Sequence, residues 1–121
     1  MEYAMAMTLK ADIARASRAN GVSKPVDLVH LSAQTFGDSA LEAEVLTLFL
    51  SQSAVYFHAW RRATTQDARR RAAHTLKGAA RSIGAWELAD IAGAAELPGF
   101  QREAELAAEL DRVAEYIRAI V

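Results

Sequence analysis

With 121 residues, 52% hydrophobic and 24% charged side chains and a formal net charge of -1, the chain fits one ordered domain with its own core. That balance excludes a disordered chain and a polyanion-coating surface. The lack of cysteine excludes disulfides, thiolate metal sites and cysteine nucleophiles. Twenty-seven alanines favour closely packed helices.

Met1 to Lys10 lacks a basic start followed by an apolar run, so no signal peptide is expected. No apolar stretch approaches the roughly 20 residues of a membrane helix, and the cytoplasm is the expected compartment. Residues 1–22 read as an N-terminal helix or extension, with Leu9 and Ile13 on a run from Thr8 to Arg18 that Asn20-Gly21 ends. Pro25 opens a short helix from Val26 to Thr35, with Leu28 and Leu31 inward and Val29 beside them. Gly37 is suited to its C-cap.

Ser39 and Glu42 are spaced as a capping box for a six-turn helix reaching about Arg62. Its broad apolar face holds Leu41, Val45, Leu48, Phe49, Val55, Tyr56 and Ala59. A narrower stripe holds Leu46, Leu50 and Phe57, which is either a second buried side or a patch for a partner protein. Thr64 and Asp67 are placed to cap the next helix, which ends at Gly84. A short helix from Trp86 to Glu96 turns Leu88, Ile91, Ala92 and Ala95 inward, and Leu97-Pro98-Gly99 stops it. The last helix, about Gln101 to Ile120, carries Leu106, Leu110, Val113, Ile117 and Val121 on one face.

No stretch alternates with period two, so the expected class is all-α. Four or five helices with short connections read as an antiparallel, up-down helical bundle over residues 23–121, with the N-terminal helix or extension added to it.

The helix from Thr64 to Gly84 has two unlike sides. At about 100° per residue, Ala72, Leu76, Ala79, Ala80 and Ile83 fall in one sector. His74 falls opposite, with Arg70, Lys77 and Arg81 around it. Gly78, one turn after His74, costs about 1 kcal/mol relative to alanine and removes bulk beside the imidazole. Thr75 and Ser82 lie to one side and are able to bond locally. An exposed imidazole with neighbouring cations and open space suits a group that meets phosphate.

His74-Thr75-Leu76-Lys77-Gly78, followed by Ala79-Ala80-Arg81-Ser82-Ile83-Gly84-Ala85, resembles the signature of histidine-containing phosphotransfer (HPt) domains. The resemblance implies a four-helix bundle that takes a phosphoryl group on His74 from a receiver-domain aspartate and relays it to another receiver. Lys77, with Arg81 at longer range, would offset the phosphoryl charge, and Gly78 would leave room for the receiver's loops. Glu96 lies where related domains often carry a polar residue near the histidine. A carboxylate there is able to orient the ring, yet it repels a phosphoryl group placed close to it. The implied partners are response-regulator receivers and a hybrid histidine kinase, met by a monomeric carrier without metal or cofactor, its catalytic metal and acids lying on the receiver. Starting at Met1 and ending soon after the last helix, the chain reads as a free-standing carrier, with a domain of a larger hybrid kinase as the alternative.

Arg61-Arg62 and Arg69-Arg70-Arg71 read either as a solvated face or as an attraction for a receiver's acidic pocket. His30 and His58 have no assigned role, and the three histidines lack the i, i+4 spacing of a helical metal site. The competing readings are a kinase dimerisation domain and an inert helical adaptor using Leu46, Leu50 and Phe57. In such kinase domains the histidine typically precedes an acidic residue, whereas Thr75 follows His74. Nucleic-acid binding is disfavoured by the slightly negative net charge.

Overall fold

The computed structural model describes residues 24–121, and the expectation for residues 1–22 lies outside them. The described residues form five helices and no strand: α1 Leu28–Gln34, α2 Ser39–Arg62, α3 Gln66–Ser82, α4 Trp86–Ala94 and α5 Glu103–Ile120. Contacts between α2 and α3, α3 and α4, α4 and α5, and α5 and α2 close a ring around one apolar core. Among the described residues, no helix is long and apolar enough to cross a membrane.

Helix caps sit where short polar side chains reach free backbone N–H groups, displaced by one residue from two of the expected positions. Asp38 rather than Ser39 caps α2, accepting from the Leu41 N–H at 3.1 Å. Glu42 does not complete a capping box; its carboxylate accepts from the Thr35 hydroxyl at 3.2 Å. Thr65 rather than Thr64 caps α3, accepting from the Ala68 N–H at 3.1 Å. Asp27 caps α1 through the Val29 and His30 N–H groups, so that helix starts at Leu28. Only Leu31 of the two-turn α1 reaches the core, and Leu28 and Val29 face outward. Thr35 is its C-cap, while Phe36 and Gly37 follow with φ of +57° and +74°.

The long helix α2 differs most from expectation. Its buried line is Leu46, Phe49, Ser53 and Trp60, flanked by half-buried Val45, Leu50, Tyr56 and Phe57. Leu41, Leu48, Val55 and Ala59 are exposed. The core line runs between the two stripes read from the sequence and borrows from each. Apolar residues occur nearly all round this helix, so neighbouring helices choose the buried side. Leu46, Leu50 and Phe57 therefore pack inward, and the adaptor reading loses its surface.

On α3 the buried residues are Ala73, Leu76 and Ala80, continued by Ile83, while Ala72 and Ala79 are half-buried. Leu106, Leu110, Val113 and Ile117 of α5 face the core as expected, but Val121 is exposed beyond the helix end. Arg112 ties α5 to α4 through Glu87 at 2.7 Å, while Glu109 grips the same guanidinium.

Gly84 joins the start of the described chain to the α3–α4 corner. Its φ is +78°, and its carbonyl accepts from the Asp27 N–H at 2.9 Å. A Cβ there would lie 2.8 Å from Asp27 Cβ and 2.9 Å from the Asp27 carbonyl oxygen. The same aspartate accepts from the Trp86 indole N–H at 3.1 Å, and His30 meets the Trp86 ring edge-on at 4.7 Å. Left-handed strain and backbone overlap together set the cost of a side chain here. Gly84→Ala is expected to destabilise the domain by about 2–5 kcal/mol, read as a lower urea midpoint at unchanged slope.

Candidate functional site

The alternation of sides on α3 directs His74 outward. Its core side is used by Ala73, Leu76 and Ala80, so a residue rotated to the far side reaches solvent. The His74 side chain is 64% exposed, yet it is held: Nδ1 lies 2.9 Å from Glu96 Oε1. The second oxygen, Oε2, lies 2.6 Å from Lys77 Nζ. One carboxylate thus bridges two side chains of α3 that are spaced three residues apart.

Glu96 lies in the turn after α4, two residues beyond the helix end and not on it. Its backbone is pinned from two directions. The Gln66 amide Nε2–H donates to the Glu96 carbonyl at 3.2 Å, and the Trp60 indole N–H donates to the Ala95 carbonyl at 3.3 Å. Trp60 is itself fixed by a stacked contact with Phe57 and an edge contact with Phe100. Lys77 reaches Glu96 by lying along α4. A Cβ on Gly93 would come within 3.2 Å of Lys77 Cδ, so that glycine leaves the channel for the lysine stem.

The charges settle which ring nitrogen is free. Burial pushes the Glu96 carboxyl up, but hydrogen bonds from Lys77 and His74, with the charges of both, outweigh it and hold it below the ordinary carboxylate range. An ionised carboxylate only accepts, so Nδ1 of His74 carries the hydrogen. In the neutral form of the ring that tautomer leaves the lone pair on Nε2. A Cβ added at Gly78 would meet no atom within 4 Å, so the space beside the imidazole is open. Packing does not account for this glycine.

The Hpt domain family profile matches residues 44–120, which is more than half of the chain. The chain belongs to the Hpt domain family. No curated protein and no solved structure matches the chain significantly. The matched region of this Hpt domain starts inside α2 and contains α3, α4 and α5, hence every residue of the His74 cluster; α1 lies outside it. Hpt domains are phosphocarriers of two-component signalling, and membership sets aside the reading as a kinase dimerisation domain.

The other expected site residues are placed apart from the imidazole's contacts. Arg70 donates to Asp67 at 2.9 Å, and Arg71 lies 3.5 Å from the same carboxylate. These contacts, led by the Arg70 hydrogen bond, hold the Asp67 carboxyl below its usual range. Arg81 is exposed in the last turn of α3. The Ser82 hydroxyl donates to the Ala79 carbonyl at 2.7 Å, and Thr75 donates to the Arg71 carbonyl at 2.9 Å. In the basic cluster, Arg69 covers the Trp60 ring and Arg61 covers Phe57. Among the described residues, no group of three or more histidine, aspartate or glutamate side chains could hold a metal ion.

Trp60, Gln66 and Gly93 are the residues that sequence reasoning missed. Gly93 carried a signal, because a glycine inside a helix asks for a reason just as Gly78 does. Trp60 and Gln66 carried none, since their partners lie 35 and 30 residues away.

Proposed function

We propose that this Hpt domain accepts a phosphoryl group on Nε2 of His74 from a receiver-domain aspartate and passes it to a second receiver. The observation that carries the reading is an exposed imidazole held through Nδ1 by Glu96 at 2.9 Å, one helical turn from the open space at Gly78.

In the step itself, the Nε2 lone pair attacks phosphorus of the aspartyl phosphate. The N–P bond forms as the P–O bond to the aspartate breaks, and the carboxylate leaves with the electron pair. The ring becomes a phosphorylated imidazolium, and its Nδ1–H remains against Glu96, which balances the new positive charge. The return step reverses these changes at the next receiver. Metal and acid chemistry belongs to the receiver, so the domain acts as carrier and not as enzyme.

Lys77 then has a role different from direct contact with phosphate. Its ammonium is engaged by Glu96 at 2.6 Å, and the side chain is only 20% exposed. It offsets the carboxylate that would otherwise repel an incoming phosphoryl group. Arg70 and Arg81, exposed on the same helix, attract the receiver's acidic pocket at longer range, an effect that salt weakens. The short connections and the closed ring of contacts support the four-helix up-down arrangement. A cytoplasmic receiver and a hybrid kinase are the fitting partners.

The test is transfer from a phosphorylated receiver. Acid-labile, alkali-stable phosphate is expected on the domain, and NMR of the labelled imidazole is expected to place it on Nε2. Failure to take phosphate from any receiver of its signalling system refutes the proposal. Gly78 supplies a second check. Gly78→Ala is expected to retain transfer within a few-fold and to stabilise α3 by up to about 1 kcal/mol. Gly78→Leu should keep the fold by circular dichroism yet slow transfer at least tenfold; equal rates for the two variants would remove Gly78 from the docking space.

A further inference from the structure

We propose that the outward face of α2 docks a second copy of this chain, antiparallel, about a two-fold axis between Ser51 and Gln52. Leu41, Leu48 and Val55 recur at seven-residue intervals and fall within about 40° on a helical projection. They are 37%, 54% and 64% exposed, and on that projection they lie about 130° around the helix from the buried line of Leu46, Phe49, Ser53 and Trp60. Large aliphatic side chains aligned along a six-turn helix form a seam for another helix, not scattered surface residues.

The second copy is favoured as occupant because the face is complementary to itself. Beside the ridge runs a shallow groove of about 430 Å³, lined by the small side chains of Ala43, Thr47 and Ser51 together with Glu44 and Leu48. Ridge and groove on one face allow two identical helices to interlock in an isologous contact.

Charge then selects the direction. Glu44 lies at the N-terminal end of the strip and Arg62 at its C-terminal end. Neither forms an ion pair among the described residues. A parallel pair would set Glu44 against Glu44 and Arg62 against Arg62. In the antiparallel pair Leu48 meets Val55 of the second copy, and the Arg62 stem covers Leu41 with its guanidinium one turn from Glu44. No residue of the strip belongs to the His74 cluster.

One helix face per copy is at the small end of stable interfaces, which bury about 1,200–2,000 Å², so the dimer is reversible. On this reading the chain exchanges between the monomer expected from its sequence and a dimer as concentration rises. Sedimentation of the full chain over a dilution series is expected to show the mass rising from 13.1 kDa toward twice that value. Leu48→Glu with Val55→Glu should stay monomeric with unchanged circular dichroism. Glu44→Arg and Arg62→Glu should each weaken association about tenfold, and the two combined in one chain should restore it. A mass that stays monomeric at every concentration refutes the proposal. So does a dimer indifferent to the Leu48 and Val55 substitutions, or a double reversal no tighter than either single one. Loss of phosphoryl uptake on substituting the strip, with no dimer in the parent chain, would assign the face to a receiver instead.

Discussion

His74→Ala is expected to abolish phosphoryl uptake while leaving the bundle folded. The imidazole is 64% exposed and contributes no core surface, so its removal costs stability only through the Nδ1 hydrogen bond to Glu96. The change in unfolding free energy should stay within about 1 kcal/mol, the scale of one hydrogen bond at a partly solvated site. Uptake, by contrast, depends on a lone pair that no other side chain of α3 supplies at this position. The remaining histidines do not substitute: His30 is placed against Trp86, and His58 lies on a different helix, α2. Radiolabelled transfer from a phosphorylated receiver, followed alongside thermal unfolding, reads both quantities at once. Residual labelling equal to that of the parent chain would place the acceptor elsewhere.

Glu96→Ala is expected to give the second-largest effect, slowing transfer by about 10- to 100-fold, the range associated with losing a group that orients a reacting side chain. The ring would lose its fixed tautomer, and Lys77 would lose the partner that holds its ammonium. Glu96→Gln is the informative companion. Its amide oxygen still accepts from Nδ1–H, but it no longer balances the charge of a phosphorylated imidazolium. Transfer should therefore fall less than in the alanine variant, and its pH dependence should change.

The sign of the stability effect follows from the direction of the Glu96 shift. The carboxyl is held below its ordinary value of 4.5, so the folded state favours the ionised form. This contribution is fully present above the unfolded-state value and is lost as pH falls through the lower folded-state value. Urea unfolding of the parent chain should weaken across that acidic window more steeply than that of Glu96→Gln. Parallel curves for the two proteins would show that Glu96 does not couple to Lys77 and His74 in solution.

Much of this was legible in the linear pattern. The 3.6-residue period located α2, α3 and α5 to within a few residues, and the same projection turned His74 away from Leu76 and Ala80. Cap positions slipped by one at Asp38 and Thr65 because neighbouring residues in each pair offer chemically similar side chains. Other features depend on contacts between residues distant in the chain. The sequence places Glu96 as a carboxylate near the histidine, but its grip on Lys77 depends on how α4 lies against α3. Gly93 clears the lysine stem, while Trp60 and Gln66 hold the turn; none of these relations has a fixed sequence spacing.

The linear sequence alone determined an all-helical chain and the helix bearing His74, because hydrophobic period and glycine placement act through local backbone geometry. The outward direction of the imidazole follows from that same period. Only the tertiary structure decided which side of α2 is buried, since apolar residues surround that helix and packing against α3 and α5 breaks the tie. It also decided that one carboxylate joins His74 to Lys77, because a turn beyond α4 must be brought 22 residues back to α3 before that bond exists.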